Sequence, residues 1–272
     1  MGHNEHEQSA PREEKERDSD FLFGDLEEEV SEGGQKVRHR GVYLLPNLFT
    51  TAALFCGFYA IVSGMHGSFA HAAVAILLAM LLDGMDGRVA RMTNTQSAFG
   101  EQYDSLADMV SFGVAPALVM FSWALHDLGR WGWAAAFIYT ACAALRLARF
   151  NTQIGVVDKK YFVGLASPPA AAIIAATVWT WFDVRPEGVW AAVVAVLTAF
   201  VGLLMVSSFH YTSFKSVDFR GRVPFGVMLL IVLVFAALII FQEVGLLAIA
   251  VLYGLSAPAL WLFKKISTLK IS

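Results

Sequence analysis

The chain has 272 residues, of which 57% are hydrophobic and only 16% are charged, whereas a typical soluble domain has roughly 25% charged residues. This composition favours an integral membrane protein, and we expect membrane lipids rather than nucleic acid as its surroundings. Charge is distributed unevenly, because residues 1–40 hold 12 acidic and 6 basic residues while the remaining residues hold 11 acidic and 14 basic ones.

The first segment, residues 1–35, is rich in Glu, Ser, Gly and Arg. It cannot bury enough apolar surface to offset chain entropy, so we predict a disordered acidic tail. Residues 36–44 follow as a juxtamembrane segment, either a short amphipathic helix at the interface or a positively charged flank. We expect a transmembrane domain over residues 45–263 and a basic cytoplasmic C-terminus over residues 264–272.

Eight stretches after the tail approach the roughly 20 mostly apolar residues that a spanning helix needs. They are residues 45–65, 69–90, 104–125, 132–150, 162–182, 188–207, 223–242 and 244–263. Glu243 alone separates the last two, but one fused helix would be about 60 Å long, twice the bilayer core. The sequence therefore predicts an all-α integral membrane protein with about eight transmembrane helices.

Basic residues predict the orientation of these helices. The connections after the first, third, fifth and seventh predicted helices contain only Arg130 and Arg185, whereas the opposite side holds fifteen Lys and Arg residues. Basic residues accumulate on the cytoplasmic side of membrane proteins. We therefore expect both termini in the cytoplasm, and a multi-pass protein of the cytoplasmic membrane whose active site faces the cytoplasm.

Four aspartates lie at the end of the second predicted helix and the start of the third: Asp83, Asp86, Asp104 and Asp108. Spacings of three and four residues place each pair on one helix face. A charge at membrane depth costs at least about 2.5–3.5 kcal/mol, and like charges repel, so cations should neutralise the cluster. Oxygen ligands favour Mg²⁺, Mn²⁺ or Ca²⁺, and two such ions sharing carboxylates suit phosphoryl chemistry.

Glycines accompany the aspartates. Gly84, Gly87 and Gly100 would let a ligand approach the backbone closely, as a nucleotide does. Arg91, one turn beyond Gly87, is a candidate for a diphosphate. The alternative is that acidic helix ends face water while the glycines pack helices, but the concentration of these residues on two adjacent spans favours a site.

Residues 83–108 resemble the signature of the CDP-alcohol phosphotransferases, D-x2-D-G-x2-A-R-x8-G-x3-D-x3-D. All eight specified positions are occupied, by Asp83, Asp86, Gly87, Ala90, Arg91, Gly100, Asp104 and Asp108. The resemblance implies that the first three aspartates hold metal and diphosphate. It also implies that Asp108, near a second ion, is the general base that deprotonates an acceptor hydroxyl. Gly87, Ala90, Arg91 and Gly100 would then line the CDP-lipid site.

Four flanking segments resemble the phosphatidylserine synthase branch of that family: LPNLFTTAALFCG at 45–57, RLARFN at 146–151, GLASPPAAA at 164–172 and VSSFHYTSFK at 206–215. The branch implies CDP-diacylglycerol as donor and L-serine as acceptor. The contacts it implies are Asn47 and Thr50 for the cytidine, Arg146 and Arg149 for the serine carboxylate or lipid phosphates, and Ser167, Tyr211 and Lys215 for the acceptor pocket. Ala166 and His210 depart from the branch pattern, and the two arginines could instead be flanking positive charge.

Other readings stay open. A different acceptor, such as glycerol 3-phosphate or inositol phosphate, should require more cationic groups around the pocket. A divalent-cation transporter should carry acidic residues at all membrane depths, and a non-catalytic scaffold should tolerate Asp108→Asn. Small residues on several helices suit a homodimer as well as packing within one chain.

Overall fold

The computed structural model describes residues 27–32, 35–40, 44–92, 97–153, 161–212 and 242–269. In chain order the α-helices of this part are α1 (Leu44–Met65), α2 (Phe69–Met92), α3 (Ala98–Asp108), α4 (Ala115–Met120), α5 (Arg130–Gln153), α6 (Ser167–Thr180), α7 (Val189–Val206) and α8 (Gln242–Leu269). A π-helical segment, Met109–Val114, joins α3 to α4. A second π-helical segment and a 3₁₀ turn, Phe121–Leu125 and His126–Leu128, extend this rod beyond α4.

Five helical stretches of the described residues are long and apolar enough to cross a membrane. They are Asn47–Met65, Phe69–Ala90, Phe99–Leu128, Val189–Val206 and Glu243–Trp261. Large apolar side chains on these stretches also face outward, as Phe55 does with 64% of its surface exposed. In water such surface would be costly, whereas lipid accommodates it. The fold is therefore that of an integral membrane protein.

Three of the eight predicted helices differ from the prediction or lie outside the described residues. The fourth forms as the 24-residue α5, but its Trp, Tyr and Arg residues lower its hydropathy, and it is not among the five stretches. The fifth begins at Ser167 rather than at residue 162, because Pro168 and Pro169 suit the first turn of a helix. The seventh, residues 223–242, lies almost wholly outside the described residues. The number of eight spans therefore stays a prediction.

Helix α6 lies at the centre of the bundle although it is short. Its 14 residues extend about 21 Å, less than the bilayer core. Residues 170–178 are all buried, and the helix packs against α2, α4, α7 and α8. Most of the buried apolar residues around it are alanines, which allow helices to approach closely in a membrane.

Two short sheets accompany the helices, although the sequence predicted no strand. Strand β1 (Glu27–Glu32) pairs antiparallel with β2 (Gln35–Arg40), where we expected the end of the tail and an interfacial segment. The register places Glu27 opposite Arg40 and Glu29 opposite Arg38.

The second sheet joins the chain after α5 to the chain after α7. Strands β3 (Tyr161–Val163) and β4 (His210–Thr212) pair antiparallel. Gly164 follows β3 with a φ of +84°, and its N–H donates to the Phe209 carbonyl at 2.8 Å. A Cβ at Gly164 would collide with the carbonyl oxygen of Met205, so only glycine fits here. This contact holds the start of α6 beside the end of α7.

Candidate active site

Hydrogen bonds between helices bring five helix ends together at one end of the bundle. They join α1 to α2, α3 to α5 and α5 to α6, through the pairs Thr50–Asp86, Ser105–Asn151 and Arg146–Ser167. A further bond of 2.9 Å links the hydroxyls of Thr51 and Tyr103, and so α1 to α3. These bonds fix the helix ends that carry the aspartates relative to one another.

The aspartates of the sequence motif meet at this end. Asp83, Asp104 and Asp108 each offer a carboxylate oxygen, and these oxygens lie within 4.8 Å of one another. The carboxyl groups of Asp83 and Asp108 lie close enough to interact, as do those of Asp86 and Asp104. The end of α2 and the second half of α3 therefore face each other, and the carboxylates meet as the spacing predicts.

Asp86 has a different environment from the other three carboxylates. It is 6% exposed, and the Thr50 hydroxyl donates to its Oδ2 at 2.8 Å. It lies outside the group of three oxygens that approach within 4.8 Å. Helix α1 thus orients Asp86 towards Asp104 from one side, while the other three carboxylates converge.

The site fits a divalent cation. Asp104 Oδ1 is buried and has no hydrogen-bond partner among the described residues, which is costly for a carboxylate unless a cation supplies the missing interaction. Of the described side chains that act electrostatically on Asp108, Arg146 is the only cationic one. Among the side chains that the structure describes, four carboxyl groups beside this guanidinium leave an excess of negative charge, and their oxygens are the ligands that Mg²⁺ and Mn²⁺ prefer.

Open space lies beside the aspartates where the sequence predicts the donor. A Cβ at Gly84 or Gly87 would meet no atom of another described segment within 4 Å, so these residues leave room for a ligand on that side of α2. At Gly100 a Cβ would lie 3.6 Å from Asn47 Oδ1, which places Asn47 next to the motif. Ala90 is half-buried on α2, and the side chain of Arg91 lies outside the described residues.

The start of α3 is fixed by Ser97. Its Oγ accepts a hydrogen bond from the Gly100 N–H at 3.0 Å, and the backbone of Ser97 is extended before the helix begins. A serine at this position satisfies one of the free N–H groups of the first turn. Asp104 and Asp108 follow one and two turns after Gly100, so the cap helps to set the direction in which both carboxylates point.

Arg146 links the aspartates to the predicted acceptor residues. Its Nη1 donates to Ser167 Oγ at 2.7 Å, Ser167 is fully buried, and Arg146 also acts electrostatically on Asp108 and Tyr253. The structure therefore brings together Arg146 and Ser167 as predicted. Arg149 is exposed, and its contact with the acceptor stays a prediction.

Two tyrosines complete this side of the site. Tyr211 is 1% exposed, and burial raises its pKa to about 12, so its hydroxyl stays protonated and donates to the Gly254 carbonyl at 2.8 Å. The rings of Tyr211 and Tyr253 lie 5.7 Å apart. Sequence reasoning missed Tyr253, whose signal is a phenol in the otherwise apolar run 244–263. Lys215 lies outside the described residues.

Apolar spanning helices with a cluster of carboxylates at one end define an integral membrane protein with a polar, acidic site. The family described as CDP-alcohol phosphatidyltransferase matches residues 43–204 of the chain. This match covers every helix from α1 to α6 and most of α7, and it includes all four aspartates. The chain belongs to the CDP-alcohol phosphatidyltransferase family, and the resemblance predicted from the motif is confirmed.

Several curated proteins are similar to the chain. A CDP-diacylglycerol–serine O-phosphatidyltransferase from Helicobacter pylori is 34% identical over 228 residues, which cover 82% of this chain and 92% of the relative. A protein of the same name from Bacillus subtilis is 32% identical, covering 63% of this chain and 91% of the relative. The archaetidylserine synthase of Methanothermobacter thermautotrophicus is 36% identical, covering 61% of this chain and 69% of the relative.

Proposed function

We propose that the chain is a CDP-diacylglycerol–serine O-phosphatidyltransferase, which transfers the phosphatidyl group of CDP-diacylglycerol to the hydroxyl of L-serine and releases CMP. The observation that carries this proposal is the placement of Arg146, bonded to Ser167, beside Asp108 of the family motif. In this position Arg146 would supply a cation for the carboxylate of an amino-acid acceptor. Asp108 would lie next to it and take the proton of the acceptor hydroxyl.

The donor half of the site comprises the aspartates and the residues around them. Asp83, Asp86 and Asp104, with Asp108 nearby, would hold Mg²⁺ or Mn²⁺, with Ca²⁺ as a substitute and two ions as the expected number. Such ions stabilise negative charge on the diphosphate oxygens and make CMP a better leaving group. Asn47, Thr50, Gly87, Ala90, Arg91 and Gly100 would contact the CDP-lipid.

The acceptor half supplies the proton transfer. A carboxylate within hydrogen-bonding reach of a hydroxyl can take its proton in the transition state, and we assign this role to Asp108. The serine oxygen then attacks the β-phosphorus, the bond between that phosphorus and the CMP oxygen breaks, and CMP leaves with the electron pair. Arg146 would hold the serine carboxylate, since a guanidinium binds carboxylates with two parallel hydrogen bonds. Ser167 would orient Arg146, and Tyr211 and Lys215 would line the pocket, with Arg149 near its rim.

The site should face the cytoplasm. The fifteen basic residues predicted on that side include Arg88, Arg146 and Lys215, and they support eight spans with both termini inside the cell. Soluble serine then reaches the pocket from water, while the CDP-lipid enters sideways from the membrane. A homodimer also stays a prediction, which cross-linking in native membranes tests.

Acceptor competition tests the proposed function. Purified protein in detergent or vesicles receives CDP-diacylglycerol, Mn²⁺ and one labelled alcohol at a time: L-serine, glycerol 3-phosphate or inositol phosphate. We expect lipid-linked label and stoichiometric CMP with serine. If label from another alcohol entered lipid and label from serine did not, that alcohol would be the acceptor, and the reaction class would stand.

Transport is the alternative from a different class. It would require acidic residues along the depth of the bundle, but the four aspartates lie together at one end of α2 and α3. Proteoliposomes loaded with a divalent-ion indicator test it directly. We expect CMP release without ion flux, and flux without CMP release would favour the transporter.

A further inference from the structure

The turn that follows Asp108 is not α-helical. Met109–Val114 form a π-helical segment, and the Ala115 N–H donates to the Val110 carbonyl, five residues earlier. A π-helical turn holds one residue more than an α-helical turn would, and such turns within α-helices are frequent at functional sites. Here the segment begins at the residue directly after Asp108, so its geometry determines how α3 is rotated relative to α4.

Pro116 explains why the helix widens at this point. Proline has no N–H, and its ring crowds the carbonyl four residues earlier. In an α-helix that carbonyl would belong to Phe112, which is fully buried. The Phe112 carbonyl therefore loses its α-helical donor in a place that water does not reach.

Tyr139 supplies a side-chain donor for this carbonyl. Its hydroxyl, on the neighbouring helix α5, donates to the Phe112 carbonyl at 3.0 Å, and its side chain is fully buried. The backbone of Tyr139 is held in turn by α7, because a Cβ at Gly202 would lie only 2.8 Å from Tyr139 Cα. The close packing of α7 against this backbone therefore fixes the position of the Tyr139 phenol.

Helix α1 holds the opposite side of the same segment. The Ser111 hydroxyl donates to the Ala53 carbonyl at 3.1 Å. Gly57 allows this approach, since a Cβ there would lie 2.6 Å from Ser111 Oγ and 2.8 Å from Ser111 Cα. The segment is therefore clamped between α1, which also carries Thr50, and α5, which also carries Arg146.

We propose that Tyr139 is a positioning residue for Asp108. By bonding to the carbonyl that Pro116 deprives of its α-helical donor, it holds the π-helical turn and with it the rotation of α3. One residue corresponds to about 100° of helix rotation, so losing the turn would swing Asp104 and Asp108 away from Asp83. This inference rests on the proposed role of Asp108, and it adds a residue that touches neither metal nor substrate.

Tyr139→Phe tests the inference, because it removes the hydroxyl and keeps the ring. We expect kcat to fall at least about tenfold, equivalent to roughly 1.4 kcal/mol in the barrier, and the affinity for Mn²⁺, measured by electron paramagnetic resonance, to fall with it. The matched control is Thr177→Val, which removes a buried hydroxyl whose described bond stays within its own helix, to Ile173. It should change neither quantity. Tyr139→Phe behaving like this control would overturn the proposal.

A double-mutant cycle with Pro116→Ala tests the hydrogen bond between the Tyr139 hydroxyl and the Phe112 carbonyl. The substituted alanine regains an N–H that can donate to the Phe112 carbonyl, so the hydroxyl of Tyr139 becomes redundant. We therefore expect Tyr139→Phe to cost much less in the Pro116→Ala background than in the wild type, for kcat and for Mn²⁺ affinity alike. Equal costs in both backgrounds would overturn the proposal. If Tyr139→Phe alone fails to fold, folded protein should return in the double variant, and its absence would count against the contact.

The Mn²⁺ measurement separates this inference from the proposed function. If wild-type protein incorporates no serine, the proposed acceptor is wrong, but the loss of Mn²⁺ affinity in Tyr139→Phe would still show that Tyr139 positions the aspartates. If serine is incorporated and Tyr139→Phe binds Mn²⁺ as tightly as the wild type does, the proposed function stands and the positioning role fails.

Discussion

The hydroxyl of Thr50 donates a hydrogen bond of 2.8 Å to Asp86 Oδ2, and this bond connects the first helix to the aspartate motif. Asp86 is nearly buried, and its carboxylate also interacts with the Gly87 backbone and with Asp104. Partners that orient ligating carboxylates often matter almost as much as the ligands. Thr50 therefore has a role at the site whether or not it also contacts the cytidine.

Thr50→Val should weaken the binding of Mn²⁺ by roughly 10- to 100-fold, as is usual when a ligand loses its orienting partner. The physical reason is that Asp86 loses the hydroxyl that directs it towards Asp104. Titration with Mn²⁺ measures this change. Thr198→Val is the control, since Thr198 is fully buried and its described bond stays within its own helix, to Val194. Equal affinities in the two variants would contradict the prediction.

Asp108→Asn should lower kcat by roughly 10²- to 10⁴-fold, the usual contribution of a general base, while CDP-diacylglycerol still binds. The amide keeps the shape of the side chain but cannot accept the serine proton. Equilibrium binding of the CDP-lipid and steady-state rates separate the two effects. A loss of binding as severe as the loss of turnover would make Asp108 primarily a metal ligand.

Arg146→Lys should raise the KM for serine by tenfold or more, the effect of about 1.4 kcal/mol, and leave Mn²⁺ affinity largely unchanged. Lysine keeps the charge but loses the planar group that can bond Ser167 and a carboxylate together. Arg149→Lys provides the matched control on the same helix, because Arg149 is exposed. A similar rise in the KM of both variants would argue against a specific acceptor contact at Arg146.

Removal of divalent metal should abolish activity. Asp104 Oδ1 is buried and has no hydrogen-bond partner among the described residues. We therefore expect the cluster to need a cation for binding the CDP-lipid as well as for the chemical step. EDTA should reduce the release of CMP to background, and excess Mg²⁺ or Mn²⁺ should restore it. Full activity in chelator, with metal content checked by elemental analysis, would refute the metal role.

Gly57→Ala should destabilise the protein by roughly 1–3 kcal/mol, as overpacking commonly does. The added methyl would meet the backbone of Ser111 at 2.8 Å, and backbone cannot move aside as a side-chain tip can. Gly64→Ala on the same helix meets Val119 Cγ2 at 3.2 Å and should cost less. Thermal unfolding in detergent compares them, and an equal or larger loss for Gly64→Ala would contradict the prediction.

The aspartate site could be predicted from sequence because its information is local. The two predicted helices that carry the aspartates are joined by a short connection. Helical spacing alone places Asp83 and Asp86 on one face, and likewise Asp104 and Asp108. Arg146 and Ser167 were found through the flanking segments that resemble the family branch. The role of Arg149 stays a prediction, because a spacing of three residues predicts a shared face but not which side chain the neighbouring helices cover.

Other features depend on contacts that no local pattern encodes. The shortening of α6 could have been foreseen from Pro168, but its central position depends on packing by four other helices. Pro116 signals a distortion in its span, whereas the choice between a kink and a π-helical segment depends on a donor such as Tyr139 on another helix. Tyr253 lies far along the chain, and only the folded bundle brings its ring to Tyr211.

The order of the site along the chain has a consequence for biosynthesis. All four aspartates precede residue 109, whereas Arg146 follows on α5 and Tyr253 on α8. A nascent chain emerging from the ribosome would thus present its carboxylates to the membrane before the arginine that acts on Asp108 has been made. Acidic residues at membrane depth impede insertion, so early capture of a cation by the half-made bundle would assist its assembly as well as its later catalysis.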